Sequence, residues 1–344
     1  LRHTGIKPGE KVLVPSYHCA SMVEPVLWAK ATPVFFCINP DTSVDLRDAE
    51  KQLDDDVKVM LVTHYFGFPQ PMTEIRQFCD KHGLMLLEDC AHAFFGTYNQ
   101  QPLGSFGDYA IASAMKFFPV YDGGCLVSNK HVLDNIVLTS PGRTFQIKAL
   151  LNNLEHAYEY SRLRPLRYLT YLPMYLLSQI WKNIKALSQD SQENPIGPAS
   201  SDGGYGLDPR WIDTSMSSIS RVIIQNTSTD RLITKRREHY LALLDALSNL
   251  SNCYPLFPTL PDGTVPYVFP LVVNDPKSIF NQLKQQGVPI IRFGETLCFS
   301  DETDQCEVSK SFSRRTLQFP CHQDLRPEEL QWMIETIRKT FATN

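Results

Sequence analysis

Short apolar runs alternate with helix-like stretches at a regular interval through the first 130 residues. The runs are nearly continuous in apolar residues, which predicts strands that are buried on both faces. Such strands, joined by crossover helices, are typical of an α/β fold with a mostly parallel sheet between helices. We expect strands at Lys11–Pro15, Pro33–Ile38, Val57–Thr63, Met85–Glu88, Tyr109–Ser113 and Cys125–Ser128, and helices at Ala20–Lys30, Leu46–Leu53 and Met72–His82.

The character of the chain changes after residue 130, and three parts are predicted. Residues 1–130 form a large ligand-binding α/β domain, residues 131–205 a helical insertion with a flexible linker, and residues 206–344 an interdomain helix with a smaller α+β domain. Elements beyond residue 130 are expected as helices at Leu150–Tyr160, Met216–Leu247, Pro276–Gln286 and Pro327–Phe341, and strands at Tyr267–Val273 and Val288–Phe293.

Two stretches of the insertion have a marked composition. Ser188–Ser201 is polar and contains proline, which predicts the flexible linker. Arg164–Leu187 is rich in Leu and Tyr and could be a docked helical insertion or lie on a membrane surface. Its prolines interrupt it too often for a membrane span.

The composition is that of an ordinary globular protein, with 43% hydrophobic and 20% charged residues among 344. A formal net charge of −4, without a Lys/Arg stripe, argues against nucleic acid as a partner. The nine cysteines are scattered with no CxxC pair, which favours reduced thiols over a disulfide framework. No signal peptide opens the chain, so we expect a cytoplasmic protein, and we expect no metal.

Polar and titratable residues directly follow four of the predicted strands. Ligands bind at the carboxyl ends of the strands in such sheets, so these residues predict one site at one edge. They are Ser16-Tyr17-His18, His64–Gly67, Asp89–His92 and Lys116.

Lys116 lies between Ala-Met and Phe-Phe-Pro, in the least polar stretch of the N-terminal half. A lysine after a strand is usually a solvated surface residue, but apolar surroundings favour an amine that is uncharged or bound as an imine. Asp89 could cap a following helix or pair with a bound cation. A lysine that forms an imine and a carboxylate that keeps a pyridine nitrogen protonated are what pyridoxal 5′-phosphate (PLP) requires.

Six blocks of sequence occur in an order that resembles the DegT/StrS-type sugar aminotransferase family. The resemblance covers residues 5–130 strongly and Arg231–Asn344 more weakly. The six blocks are Pro8–Tyr17, Ala31–Phe36, Thr63–Gly67, Glu88–Ala93, Gly104–Asp108, and Lys116 with Gly123-Gly124.

The resemblance implies the type I fold of PLP-dependent transferases, PLP as cofactor, and a homodimer with active sites at its interface. By the family's pattern Lys116 would be the catalytic Schiff-base lysine and Asp89 the partner of the pyridine nitrogen. His92 would contact the cofactor's phenolic oxygen. Ser113 would reach the phosphate, although the family's more usual serine lies two residues earlier, at Ile111.

Three departures from the family's pattern bear on the cofactor site. The family carries residues before Gly5 with a helix start that binds phosphate, so we expect either a fragment or a divergent member that lacks the usual N-terminal segment and binds phosphate differently. Cys19 aligns with the family's ring-stacking aromatic, which leaves His18 or Tyr17 as the flat cover. Asp213 stands where the family offers Asn to the partner's phosphate, and its charge would repel that group.

Three further residues are candidates for substrate binding. His64 and Tyr65 could line the pocket or could belong to the core and a loop. Arg292 could bind a carboxylate or a nucleotide phosphate through its fork of donors, or could form a surface salt bridge.

We therefore expect a PLP-dependent aminotransferase that moves an amino group from an amino acid, such as glutamate, to a keto-sugar, nucleotide-linked, in polysaccharide or amino-sugar biosynthesis. One alternative is a family member that has lost turnover and serves as a binding or scaffold subunit. Another is a sugar dehydratase of the same family, in which histidine replaces the lysine, and Lys116 argues against it. An unrelated doubly wound binding protein would require the six ordered blocks to be a coincidence.

Overall fold

The computed structural model describes residues 1–159, 207–295, 297 and 306–342. The chain divides into two compact units, one of Leu1–Phe117, Gly124–Asn135 and Thr227–Asn344, and one of Phe118–Gly123 and Ile136–Asn226. The predicted boundaries near residues 130 and 205 stay a prediction. The stretches Arg164–Leu187 and Ser188–Ser201 lie outside the described residues.

A six-stranded sheet forms the centre of the first unit. All neighbouring strands in it run parallel except the last pair, which is antiparallel, so the predicted mostly parallel sheet is confirmed. Its order is β2-β1-β3-β4-β7-β8, where the strands are β1 Lys11–Pro15, β2 Thr32–Phe36, β3 Val57–Thr63, β4 Met85–Asp89, β7 Tyr109–Ser113 and β8 Gly124–Val127. A hairpin of β5 Thr97–Tyr98 and β6 Gln101–Pro102 lies between β4 and β7 in the chain.

The first unit also contains a four-stranded antiparallel sheet, in the order β11-β12-β10-β9. Its strands are β9 Cys253–Pro255, β10 Val268–Val273, β11 Ile291–Arg292 and β12 Thr316–Pro320. The predicted strand at Val288–Phe293 is shorter than expected. The N–H of Ile290 bonds to the carbonyl of Val288 around Pro289, so this part of the chain turns instead of joining the sheet.

The helices of the described residues agree with the predicted pattern in most places. They are α1 Ala20–Trp28, α2 Leu46–Lys51, α3 Met72–His82, α4 Gly142–Glu159, α5 Ser218–Asn226, α6 Thr229–Leu247, α7 Pro276–Gln285, α8 Glu307–Arg315 and α9 Pro327–Ala342, with short 3-10 turns at Arg2–Thr4, Tyr65–Gly67, Ala114–Lys116 and Pro209–Trp211. The single helical pattern predicted for Met216–Leu247 is two helices, because the Ser228 hydroxyl caps α6 by accepting from the N–H of Arg231.

Strand β1 shows why the apolar runs are continuous. Val12, Leu13 and Val14 are all fully buried. Leu13 packs into one apolar cluster, while Val12 and Val14 pack into another that also holds residues of the C-terminal sheet. Successive side chains of a strand point to opposite faces, so both faces of the parallel sheet are covered, as predicted. Among the helices that the structure describes, none combines the length and apolar character needed to cross a bilayer.

Candidate active site

The carboxyl edge of the parallel sheet brings Lys116 and Asp89 into one neighbourhood. Asp89 is the last residue of β4, in register with Ile111 of the adjacent β7. Lys116 ends the 3-10 turn that directly follows β7, so both groups stand beyond the ends of paired strands. Burial raises the pKa of Asp89, and the positive charge of Lys116 opposes this rise. The two groups therefore interact electrostatically.

Asp89 is a carboxylate held in the interior, with 5% of its surface exposed. Burial raises its pKa above the usual range, and the N–H of Ala91, 2.9 Å from Oδ1, acts in the opposite direction together with Lys116. No helix begins in residues 90–96, so the alternative interpretation of Asp89 as a helix cap is wrong. A buried carboxylate with this environment favours a cationic partner.

His92 is an uncharged donor at the same edge. Its ring stacks on Tyr267, at 4.9 Å between centroids, and on Phe66, at 5.7 Å. Burial, with a smaller effect of Lys116, lowers the pKa of His92 well below its usual value. The N–H of Phe66 donates to Nδ1 at 3.4 Å, so the single proton of the neutral ring lies on Nε2.

Tyr267 is a site residue that the sequence pattern did not single out. The Nζ of Lys116 lies 5.6 Å from the centroid of its ring, and the same ring stacks on His92. The N–H of Tyr267 donates to the carbonyl of Phe66 at 2.8 Å. Tyr267, which lies just before β10, was predicted only as the first residue of a strand. Its distance of 151 positions from Lys116 in the numbering hides the contact.

Cys19 also belongs to this neighbourhood. It is the N-cap residue of α1 and is partly exposed. Burial raises the pKa of its thiol, the charge of Lys116 opposes the rise, and Asp89 adds to it. The position that aligns with the family's ring-stacking aromatic is therefore near the lysine, although its side chain is a thiol.

Tyr17 and His18, the two predicted ring covers, are fully buried. The ring of Tyr17 stacks on Tyr65 at 5.2 Å and meets the edge of Phe293 at 5.0 Å. The ring of His18 stacks on Phe35 at 4.8 Å. Burial lowers the pKa of His18 to about 4, in opposition to its bond with the carbonyl of Pro15. These contacts are those of core side chains, and a role as cofactor cover stays a prediction for both residues.

His64 belongs to a buried cluster around the Glu88 carboxylate, which we call the Glu88 cluster. Glu88 accepts from Nε2 of His64 at 3.2 Å and from the backbone N–H groups of Gly104, Phe106 and Gly107. Nδ1 of His64 accepts from the N–H of Gln70 at 3.1 Å. These bonds fasten the loop at residues 104–107 to strand β4.

The Glu88 cluster has the spacing of a metal site but not its chemistry. The ligand atoms of His64, Glu88 and Cys90 lie within 4.8 Å of one another, and all three residues are buried. Both ring nitrogens of His64 and both oxygens of Glu88 already have hydrogen-bond partners. A metal would have to displace several backbone bonds, so the cluster is a structural one.

Three more predicted site residues can be placed. Tyr65 is buried, and its hydroxyl donates to the carbonyl of Tyr17, as the core alternative predicted. Arg292 lies 4.5 Å above the ring of Phe280 and pairs with Glu295, which matches the surface alternative. Ser113 ends β7 opposite Gly124, half-buried and three residues before Lys116. A phosphate role for Ser113 stays a prediction.

Curated relatives are similar to somewhat more than a third of the chain. The GDP-perosamine synthase of Vibrio cholerae is 31% identical over 132 residues, which is 38% of this chain and 36% of that protein. The UDP-N-acetyl-3-dehydro-alpha-D-glucosamine 3-aminotransferase of Acidithiobacillus ferrooxidans is 35% identical over 135 residues, which is 37% of this chain and 36% of that protein. The chain thus spans about a third of the length of these curated relatives.

A solved structure shares the fold over nearly the whole chain. It is a DegT DnrJ EryC1 StrS aminotransferase from Brucella abortus, with a TM-score of 0.68 and 19% identity, covering 99% of this chain and 82% of that one. This likeness confirms the predicted type I fold. Residues 1–151 match the model of the DegT/DnrJ/EryC1/StrS aminotransferase family.

Proposed function

We propose that this protein is a PLP-dependent aminotransferase that moves an amino group from an amino acid, such as glutamate, to a nucleotide-linked keto-sugar in polysaccharide or amino-sugar biosynthesis. The observation that carries the proposal is the meeting of a lysine, a buried carboxylate and an uncharged histidine at one edge of a parallel sheet. These are Lys116, Asp89 and His92. In open α/β sheets, this edge is where ligands bind.

The chemistry of these side chains fits PLP, which when bound supplies an electron sink for negative charge on a substrate carbon. Asp89 would hold the proton on the pyridine nitrogen, because a cationic partner offsets the desolvation that now raises its pKa. His92 would donate its Nε2 proton to the phenolic oxygen, since its Nδ1 is already an acceptor. Ser113 would bind the phosphate from the end of β7.

Lys116 would hold the cofactor and move the substrate proton. Its Nζ would be the group that holds PLP covalently and gives it up to an amino donor. The released amine would then take a proton from the donor's α-carbon and return it as a general acid. We propose that Tyr267, next to Nζ, supplies the flat surface assigned above to Tyr17 or His18.

The proposal includes a homodimer in the cytoplasm. Just before Lys116 in the chain, the apolar side chains of Ile111 and Met115 are 40% and 38% exposed. Exposed apolar side chains beside the site support a protein partner there. A reducing compartment is supported by the eight cysteines of the described residues, which are all free thiols.

The sugar substrate is supported by the names of the relatives, which specify a GDP-linked and a UDP-linked sugar. His64, Tyr65 and Arg292 were the predicted substrate residues, and their contacts give a sugar role no support. We therefore assign the sugar contacts to none of them.

Spectroscopy of the purified protein tests the proposal. We expect added PLP to give a visible absorbance band that borohydride abolishes, that Lys116→Ala lacks, and that the exposed-lysine control Lys58→Ala retains. We expect glutamate to bleach the band. Protein that takes up no PLP would rule out the enzyme and leave the scaffold alternative. A band that no amino acid bleaches would retain PLP binding but rule out the aminotransferase.

A further inference from the structure

Arg236, in the middle of α6, is a buried cation whose hydrogen bonds all go to neutral oxygens. Only 2% of its surface is exposed. Its Nε donates to the side-chain oxygen of Gln323 at 3.0 Å, and Nη1 donates to the carbonyls of Pro266 at 3.2 Å and Tyr267 at 2.9 Å. Its Nη2 donates to the carbonyl of Lys116 at 2.9 Å.

The burial of the Arg236 guanidinium costs free energy of desolvation. Burial lowers the pKa of the guanidinium, so the charged form is disfavoured at this position. A methionine could fill the same space without any desolvation cost. What such an apolar residue could not do is hold three backbone carbonyls at fixed distances.

Gln323 extends the same arrangement by one residue. Its Nε2 donates to the carbonyl of Phe117 at 3.0 Å, and Phe117 lies under the guanidinium, with 4.5 Å between Cζ and the ring centroid. Two successive carbonyls, of Lys116 and Phe117, are thus bound by two side chains that also bond to each other. The 3-10 turn ends here, so no continuing helix binds these carbonyls.

The same guanidinium joins the two residues that meet at the lysine amine. It holds the backbone of Lys116 by one hydrogen bond and the backbone of Tyr267 by another. The ring of Tyr267 is 5.6 Å from Nζ of Lys116 and stacks on His92. The backbone positions from which the amine and this ring extend are therefore both held by Arg236.

We propose that Arg236 and Gln323 are positioning residues that hold the Lys116 amine in place beside Tyr267 and Asp89. This inference rests on the proposed function, because it assigns the amine a cofactor to meet. The competing explanation is that Arg236 and Gln323 only stabilise the fold and have no effect on the amine. The two differ in whether the reactivity of Lys116 changes when stability is accounted for.

Arg237→Met provides a matched control. Arg237 is the next residue of α6, and its Nη1 likewise donates to two backbone carbonyls, of Pro261 and Thr264. Neither of these carbonyls belongs to a residue at the lysine. The test variants are Arg236→Met and Gln323→Met, and the second keeps the buried guanidinium and nearly the volume of the side chain.

The first measurement uses cofactor-free protein. PLP is added, borohydride traps it on lysines, and mass spectrometry gives the rate of trapping at each lysine. We expect trapping at Lys116 to slow about 10-fold in both test variants, because small displacements of a reacting group are costly. Trapping at exposed lysines should not change, and Arg237→Met should behave as wild type throughout.

The second measurement follows the bleaching of the visible band by glutamate in the PLP-loaded protein. We expect the maximal rate to fall about 10- to 100-fold while the glutamate concentration for half-maximal rate stays within about 3-fold. If Arg236→Met does not fold, Gln323→Met decides alone. Test variants that match Arg237→Met in both measurements would overturn the inference. Wild-type protein that is not trapped at Lys116 would instead overturn the proposed function, and this inference with it.

Discussion

His64 donates from Nε2 to Oε2 of Glu88 across 3.2 Å, and both side chains are fully buried. Burial alone would raise the pKa of Glu88, but the bonds from His64 and from the N–H groups of Gly107 and Gly104 hold it below the usual range. The charged carboxylate is therefore the form that the fold stabilises. It fastens the loop before β7, the strand that leads to Lys116.

We expect Glu88→Gln to lower the free energy of unfolding at pH 7 by about 3 kcal/mol, because it replaces a buried carboxylate, which accepts from His64 and three backbone N–H groups, with an amide that places its own N–H donors against them. Urea unfolding followed by circular dichroism measures this. The exposed residue Glu50, paired with Lys81, provides the control Glu50→Gln, which should stay close to wild type.

The same substitution should flatten the acid limb of the stability curve. The folded pKa of Glu88 lies below its unfolded value, so its contribution is present above about pH 4.3 and is lost as the pH falls further. We expect Glu88→Gln to lose less stability than wild type between pH 5 and pH 3. If the two proteins gave parallel curves of stability against pH, the charge of the Glu88 carboxylate would contribute nothing to the free energy of unfolding.

The parallel strands could be predicted closely because burial on both faces makes them nearly continuous in apolar residues. The ends of β1, β3 and β7 agree with the prediction at both residues. Lys116 and Asp89 could be brought together for the same reason, since each follows a strand and the strands are neighbours.

The parts of the site that come from distant residues could not be predicted. Tyr267, Arg236 and Gln323 follow Lys116 by more than a hundred positions, and only the packing of the C-terminal sheet brings them near it. A histidine after a strand can face a pocket or the core, and for His64 the decision depends on Glu88, 24 residues away. Such pairings leave no local pattern.

His18 should make the stability of the protein sensitive to mild acid. Its folded pKa is about 4, while an unfolded histidine titrates near pH 6.5. Below pH 6.5 the unfolded chain therefore binds the proton first, and stability is lost until about pH 4. We expect His18→Gln to lose about 2 kcal/mol less than wild type between pH 6.5 and pH 5, measured by urea unfolding at each pH. If His18→Gln and wild type lost the same stability between the two pH values, the result would contradict a buried, neutral His18.

Asp89→Asn should separate stability from function. The folded pKa of Asp89 is raised, so the carboxylate destabilises the cofactor-free protein as the pH rises above its unfolded value of about 3.9. We expect the variant without cofactor to melt at a higher temperature than wild type at pH 7. We expect the rate at which glutamate bleaches bound PLP to fall by about 100-fold or more. A variant that is less stable and equally active would contradict both the burial argument and the assigned role.

Gly67 tests whether the position of Tyr267 controls the site. Its φ is +98°, and a Cβ there would lie 2.3 Å from the carbonyl oxygen of Val265 and 2.8 Å from the nitrogen of Tyr267. We expect Gly67→Ala to cost about 4 kcal/mol of unfolding free energy, more than backbone strain alone. It should also weaken PLP binding, because the segment that carries the Tyr267 ring must move away from Lys116.

Gly9→Ala isolates the contact from the backbone conformation. Gly9 has a φ of +89°, and nothing lies within 4 Å of a Cβ built there. We expect this control to cost only about 1 to 2 kcal/mol, the strain of a left-handed alanine, and to bind PLP as wild type does. Titration of both variants with PLP, followed by the visible band, makes the comparison. Equal affinities in the two variants would mean that Tyr267 can move without consequence for the cofactor, and that the flat surface beside Lys116 is supplied by another residue.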